Sequence, residues 1–382
     1  MSQPTTAQVL DALRVVQDPD LHQDIVTLGF ITKNEVDGGK VDVTINLTTP
    51  ACPLKEKIKG DADAAIRSVP GVTEVNIELT AVVKGQSGGV GSKLPEGVAH
   101  IIAVSSGKGG VGKSTVTVNL ACALAETGAR VGILDCDVYG PDIPMMMGLA
   151  GQPQSDGKKI QPKERHGVKT MSIGYLVEDD KPIMWRGPMI HKFIEQFLND
   201  VEWGGLDYLL VDMPPGTGDA QISLAQVVPL SGAVLVTTPQ AVSTFDVAKA
   251  VAMFKQVNVE VLGIVENMAG FAVEGAAPGA ANSSIDFRFG DHTETVAVDG
   301  EGRFGTVVDI FGSGGGERLA AKFGFPVLGS IPLNPSVRVG GDGGDPVVVS
   351  APQSLLADRF REVAGKFAQR LAMKAFSLPI LQ

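Results

Sequence analysis

The chain has 382 residues, 32 basic against 43 acidic, for a net charge of −11; 44% of its residues are apolar and 20% charged. At roughly 150 residues per domain, this predicts two or three soluble, globular domains and excludes a disordered or low-complexity chain. The acidic balance argues against general affinity for nucleic acid or anionic lipid. No apolar run approaches the ~18 residues of a membrane span, and the opening MSQPTTAQ is not a secretory signal. Three scattered cysteines, Cys52, Cys122 and Cys136, cannot form a disulfide framework and suit a reducing cytoplasm. One chain also cannot offer four thiolates to an iron–sulfur cluster.

Residues 1–84 read as a small α/β unit. Thr5 and Gln8 have capping-box spacing, and Val9, Leu10, Leu13 and Val16 repeat at helical intervals. The alternation in VDVTINL puts Val41, Val43, Ile45 and Leu47 on one face of a strand. A helix around 53–69 and a second alternating run, VTEVNIEL, follow. Residues 85–97, GQSGGVGSKLPEG, have the composition of a flexible linker.

From residue 98 to 382 the pattern changes. HIIAV, RVGILD, LDYLLVD, GAVLVTT and VEVLGIV are short apolar runs separated by helix-length segments. Buried strands alternating with helices predict a doubly wound, mostly parallel sheet covered on both faces. A stretch near 270–308, rich in Gly, Ala, Ser and Asp, reads as a long loop or an inserted hairpin and takes up part of the chain's 47 glycines.

The chemistry sits at the carboxyl ends of these runs. GKGGVGKST at 107–115 holds the pattern G-x-x-x-x-G-K-[ST] directly after a strand and before a helix. Backbone N–H groups of Gly107, Lys108, Gly109, Gly110, Val111, Gly112 and the helix start, with Thr115, are expected to cradle phosphates. Lys113 is expected to reach the β/γ-phosphates of ATP and the Ser114 hydroxyl to meet Mg²⁺. Asp135 and Asp137 end the second strand of this domain, where doubly wound sheets place ligands. Asp212 closes LDYLLVD in the manner of a carboxylate that reaches Mg²⁺ through its water shell. Pro214, Pro215, Gly216, Thr217 and Gly218 after it form a stiff turn suited to sensing a γ-phosphate.

With its additional Lys108, the loop resembles the deviant Walker A class of the MinD, ParA and nitrogenase iron proteins. That resemblance implies an ATP-sandwich homodimer in which Lys108 crosses to the other copy's nucleotide, and an ATPase in which Asp137 orients the attacking water and Asp135 serves Mg²⁺ indirectly. It also implies that Asn267, in VENM, contacts adenine and that IPLNPSVR at 331–338 forms the purine-side loop. LDCDVYGPDIPMMMG, IMWRGPMI at 183–190 and VDMPPGTGD narrow the resemblance to the Mrp/ApbC family of iron–sulfur carrier ATPases. DPDLHQDIVTLGFI at 18–31 and TTPACPLKEKI at 48–58 resemble the metal–sulfur assembly domain often fused to it. The family implies a cytoplasmic, dimeric ATPase that delivers a transient 4Fe–4S cluster to apo iron–sulfur proteins.

One departure stands out. The family usually carries a Cys-x-x-Cys pair after Glu-Asn-Met, but here Glu266, Asn267 and Met268 lead into AGFAVEGAAPGAANSS, and the pattern resumes at DIFGSGGGERLA (309–320) with no cysteine between. Cluster carriage by the usual ligands is thereby excluded. Cys52, flanked by Pro50 and Pro53 ahead of a helix, is the substitute ligand to consider; an inert half-buried cysteine is the other reading. Cys122 reads as core and Cys136 as pointing into the sheet. The rival function is a MinD/ParA-like positioning switch, since Leu356, Phe360, Val363, Phe367 and Leu371 form an apolar stripe that could anchor to membrane or pack as the last helix of the domain.

Overall fold

The computed structural model describes residues 3–19, 21–83, 85, 95, 97–176, 187–290 and 292–377. Most of the expected linker 85–97, and residues 183–186 of IMWRGPMI, lie outside them.

The small unit begins with α1 (Thr6–Leu13), and its capping box is formed: the Gln8 N–H donates to Thr5 Oγ1 at 3.3 Å, and the Thr5 N–H donates to Gln8 Oε1 at 3.0 Å. A two-residue pair, β1 (Gln17–Asp18) and β2 (Gln23–Asp24), leads to β3 (Ile31–Asp37), β4 (Lys40–Leu47), α2 (Lys55–Arg67) and β5 (Glu74–Ala81). The order is β3-β4-β5, antiparallel then parallel. The predicted face of β4 is buried throughout and packs with Leu13, Ile58, Ile66 and Ile77. β3 has no clear sequence alternation, because it is an edge strand whose side chains are largely open to solvent.

The large domain runs β6 (His100–Ser106), α3 (Lys113–Glu126), β7 (Val131–Asp135), α4 (Ile143–Met146), β8 (Lys163–Arg165), β9 (Val168–Ser172), α5 (Gly187–Asn199), β10 (Tyr208–Asp212), α6 (Asp219–Val227), β11 (Gly232–Thr237) and α7 (Ala241–Gln256). It continues through β12 (Val261–Ala276), β13 (Ser284–Phe289), β14 (His292–Ala297), β15 (Arg303–Val308), α8 (Gly315–Phe323), β16 (Val327–Leu333), α9 (Pro335–Gly343), α10 (Val347–Ser350) and α11 (Leu355–Ser377). Its nine-stranded sheet has the order β15-β12-β11-β6-β10-β7-β9-β8, with β16 also on β12. Pairing is parallel except for β8 on β9 and β15 on β12.

Strands β6, β7, β10 and β11 are buried on both faces, which is why their sequences are continuous apolar runs. In β6, Ile102 and Val104 join α3, α10 and α11 on one side, while Ile101 and Ala103 join α5 to α8 on the other. All five residues of the C-terminal stripe, Leu356 to Leu371, are at most 3% exposed and face α3 and the sheet. That stripe is core, so α11 is the closing helix of the domain.

Of the two readings of 270–308, the inserted hairpin holds and the long loop does not. β12 continues past Glu266, Asn267 and Met268 to Ala276, with a break in register between Asn267 and Phe271 where Met268 and Gly270 have positive φ, and β15 returns antiparallel beside its far half. Between them β13 and β14 form a separate hairpin, and the Phe287 and Phe304 rings tie it down at 5.2 Å. Ile285, Phe287 and Phe289 alternate along β13, a strand signal that the high glycine, alanine and serine content of the stretch masked.

The fully buried Phe360 of α11 fills the layer between sheet and helices. Phe360→Ala is expected to cost about 3–5 kcal/mol through the cavity it leaves, read as a lower urea midpoint with an unchanged transition slope.

Candidate nucleotide-binding site

The loop 107–112 joins β6 to α3, and its geometry needs glycine at defined places. A Cβ on Gly107 would stand 2.3 Å from the backbone carbonyl carbon of Asp246, so α7 packs directly on the loop. Gly112 has φ +79° and caps α3, and a Cβ there would meet Asn267 Nδ2 at 2.3 Å. No side chain caps this helix end. Its first N–H groups therefore face the loop without intrahelical acceptors, together with the positive end of the helix dipole.

Behind the loop, the parallel register sets the carboxylates side by side: Asp212 pairs with Val104 on one flank and Asp135 on the other. Lys113 Nζ donates to Asp212 Oδ2 at 2.6 Å, and the Ser114 hydroxyl donates to the same oxygen at 2.7 Å. Thr117 Oγ1 donates to the other oxygen at 2.7 Å. Asp137 Oδ2 lies 3.7 Å from Lys113 Nζ, and Asp135 accepts from Ser172 Oγ at 2.8 Å and from the Asp137 N–H at 3.1 Å. All of these side chains are buried.

Three carboxylates thus converge on one ammonium. Burial alone would push Lys113 down, but Asp212 and then Asp137 and Asp135 hold it charged and above the ordinary lysine range. Burial raises Asp135 well above the usual carboxylate range, the neighbouring Asp212 adds to that, and the Ser172 hydrogen bond opposes it. Asp137 is likewise raised by burial, against the pull of Lys113. A surplus of hard, anionic oxygen in a dry pocket suits a divalent cation such as Mg²⁺. Asp137 Oδ1, buried and without a hydrogen-bond partner among the described residues, is an acceptor such a site can use. Among those residues no group of three or more His, Cys, Asp or Glu forms a metal cage by itself.

Lys113, Ser114, Asp135, Asp137 and Asp212 therefore come together, with Gly107 to Thr115 around them. Lys108 is half-exposed on the loop, its carbonyl accepting from Ser106 Oγ at 2.9 Å. Asn267 donates to the Val111 carbonyl at 2.8 Å, bracing the loop from behind. The 331–338 stretch ends β16 and opens α9, whose cap is Asn334 accepting from the Ser336 N–H at 2.9 Å. Cys52 lies far along the chain in the core of the small unit, 8% exposed. Cys122 and Cys136 are each 1% exposed, and burial pushes the Cys122 thiol up to about 12.

Sequence reasoning missed three contributors. Thr117 is one helical turn beyond Lys113, a spacing that could have shown it. Ser172 ends the strand beside β7, which only sheet order reveals. Gln221 is 1% exposed and donates to the Pro214 carbonyl, tying α6 to the turn after Asp212.

A phosphate loop after a parallel strand, a lysine and a hydroxyl on the helix it opens, and a strand-end aspartate behind them define a P-loop nucleoside triphosphatase. The comparisons with known proteins sharpen this. Residues 97–282 and 301–368 match the family described as NUBPL iron-transfer P-loop NTPase, and residues 6–78 match that of iron–sulfur cluster assembly proteins. The chain belongs to this iron-transfer P-loop NTPase family. It is similar to the iron-sulfur cluster carrier protein of Synechocystis sp., at 46% identity over 97% of this chain and 99% of that one. The Escherichia coli K12 protein of the same description is 43% identical over 98% and 94%. Among solved structures, a nucleotide-binding protein from Archaeoglobus fulgidus in complex with ADP is 38% identical, with a TM-score of 0.50, covering 65% of this chain and 88% of that one. The gap in the family match, 283–300, contains the hairpin β13–β14.

Because the Asp135 carboxyl is raised, the native chain keeps a proton that the unfolded chain releases once pH exceeds the ordinary carboxylate range. Its ionisation therefore costs stability as pH rises from there. Asp135→Asn is expected to melt higher than wild type, by a margin that widens from pH 4 to pH 8. A margin flat across that range would show that Asp135 does not carry this cost.

Proposed function

We propose that the protein binds and hydrolyses ATP with Mg²⁺ and works as an iron–sulfur cluster carrier or assembly factor, as a homodimer with nucleotide between its copies. The observation that carries the reading is the buried meeting of Lys113, Ser114 and Asp212 behind a phosphate loop, in a chain whose two parts match an iron-transfer NTPase and an iron–sulfur assembly protein. On this reading residues 1–84 are the assembly-like domain, 85–97 the linker and 98–382 the ATPase domain, and the setting is cytoplasmic. Among the described residues no helix is long and apolar enough to cross a membrane.

The roles follow from position. The loop N–H groups from Gly107 to Thr115 hold phosphate oxygens, and Lys113 turns from Asp212 toward the β/γ-phosphates. Ser114, and Asp212 through water, would hold Mg²⁺, with Asp135 behind; the ion supplies charge compensation on the phosphates. Asp137, raised by burial, is suited to accept a hydrogen bond from the attacking water and orient it. Attack forms a bond from water oxygen to the γ-phosphorus as the bond to the β–γ bridging oxygen breaks, giving ADP and phosphate. Asn267 braces the loop through the Val111 carbonyl, and adenine is its proposed contact.

Exposed apolar side chains flank this face: Tyr139, two residues after Asp137, is 73% exposed, and Phe245, just before the α7 segment that touches Gly107, is 66% exposed. A second copy covering them would bring its own Lys108 near the nucleotide. The cargo is a transient iron–sulfur cluster held without the usual cysteine pair, and Cys52 is its proposed ligand in this chain; the recipients are apo iron–sulfur proteins. The burial of the α11 stripe weighs against a positioning switch anchored to lipid by that helix.

Lys108→Ala is expected to lower ATP turnover and dimerisation by about tenfold or more while ATP affinity stays near wild type, measured by phosphate release, light scattering and nucleotide titration. Wild-type turnover in this variant would remove the cross-dimer role. Anaerobic reconstitution with iron and sulfide is expected to give cluster absorbance in wild type and to lose it in Cys52→Ser. Wild type that takes up no iron would reject the carrier role.

A further inference from the structure

The small unit and the ATPase domain meet through the loop of residues 48–53, between β4 and α2, and through Val83, which packs against the core of the large domain. Thr49 Oγ1 lies 2.9 Å from the Tyr208 hydroxyl, with both groups buried. Ala51 belongs to the core of the large domain, beside Phe360, Phe367 and Leu371 of α11. Gly365 of α11 lies at this contact: a Cβ there would stand at van der Waals distance, 3.4 Å from the Ala51 carbonyl oxygen and 3.5 Å from the Pro53 ring, so that only a larger side chain would push the loop away. Next to this contact the two bodies stand apart. A cleft of about 900 Å³ separates β5 and the first turn of α2 from Thr127, Gly128, Arg130 and Asp207.

We propose that residues 48–53 form a releasable latch between the two units, and that the nucleotide site biases it through β10. One hydrogen bond between neutral hydroxyls, one buried alanine, the Pro53 ring beside Gly365 and Val83 against the large domain's core, bordered by an open cleft, make a small contact, and contacts of this size between domains are expected to open. β10 has only five residues, with Tyr208 at one end and Asp212 at the other. The Tyr208 ring is fixed against Phe367 at 6.0 Å and His100 at 6.1 Å, while Asp212 carries Lys113, Ser114 and Thr117. When Lys113 and Ser114 turn to phosphate and metal, Asp212 loses partners at one end of a strand whose other end holds the latch. α11 adds a second link, because it packs on α3, the helix that begins with Lys113.

Cys52 reports on the latch. It sits between Ala51 and Pro53 with its side chain in the small unit's core, so turning the thiol outward requires the loop to give up its hold on Tyr208 and α11. Cys122 and Cys136, deep in the large domain, are internal controls. The readout needs neither iron nor hydrolysis. Only its nucleotide arm rests on the proposed ATP site, and nucleotide titration of the same samples tells failure of binding apart from failure of the latch.

The experiment is thiol labelling of the full-length chain with N-ethylmaleimide, followed peptide by peptide by mass spectrometry, without nucleotide and with Mg-ATP. Wild-type Cys52 is expected to react far more slowly than in urea. Tyr208→Phe, which keeps the ring and removes the hydroxyl, should speed it about fivefold. Gly365→Leu, which wedges the loop off α11, should speed it more, with Cys122 and Cys136 still protected. Mg-ATP should change the wild-type rate by about fivefold, a typical coupling between two sites, and change it less in Tyr208→Phe. If Gly365→Leu exposes Cys122 and Cys136 it has unfolded, and Tyr208→Phe alone decides. A Cys52 rate equal to that in urea, or unchanged in Tyr208→Phe, overturns the latch. A rate insensitive to Mg-ATP in protein that binds the nucleotide overturns its control through β10.

Discussion

The site depends on one buried ion pair, Lys113 with Asp212. Two charges out of water are costly unless their remaining hydrogen-bonding positions are filled. Here Ser114 and Thr117 fill them on the Asp212 side, while Asp137 and Asp135 surround the ammonium. The pair also joins the two elements any phosphate site of this kind needs, the helix after the loop and the strand that ends behind it. The convergence leaves more negative than positive charge in the pocket. That imbalance destabilises the apoprotein locally and favours whatever brings compensating positive charge.

The parallel sheet supplies the precision. Asp135 and Asp212 are register partners on neighbouring strands, so their carboxylates end up side by side without long loops to position them. The loop is held from three directions: α7 against Gly107, Asn267 on the Val111 carbonyl, and the first turn of α3. Glu266, next to Asn267, accepts the Gly316 N–H at 2.7 Å, and burial raises its carboxyl. β12 therefore connects the phosphate loop to α8 and, through its extension, to the inserted strands. The stretch after Glu266, Asn267 and Met268, which carries no cysteine, is thus part of the same sheet as the phosphate loop.

Much of this was legible in the chain. Walker-type spacing and continuous apolar strands named the phosphate loop, the strand-end aspartates and the doubly wound sheet, because those patterns follow directly from backbone chemistry and two-sided burial. The capping box of α1 and the buried face of β4 were equally plain. The 270–308 strands were legible only in part, as the hairpin half of a two-way reading. β13 does alternate, at Ile285, Phe287 and Phe289, but the far half of β12, residues 270–276, mixes glycine and alanine with polar and apolar residues and shows no continuous apolar run. Thr117 was within reach through helical spacing, whereas Ser172 and Gln221 act across elements whose adjacency sequence does not state. The C-terminal stripe had two readings as a pattern, membrane face or core, and the packing of Phe360 and Phe367 on the sheet chose between them.

By itself the sequence determined the chemistry: a phosphate loop, the carboxylates that go with it, and three cysteines too few and too scattered to clamp a cluster in the usual way. These are local properties, set by residue type and spacing along one strand–turn–helix unit. Only the tertiary structure decided where the thiols stand, with Cys52 turned into the small unit's core beside the junction and the other two sealed in the large domain. It also decided how the two units meet, through Thr49 against the strand that carries Asp212 and through Ala51 against Gly365 of α11. Contacts between residues hundreds of positions apart come from the order in which strands assemble and from the burial that assembly creates, and no local pattern records either.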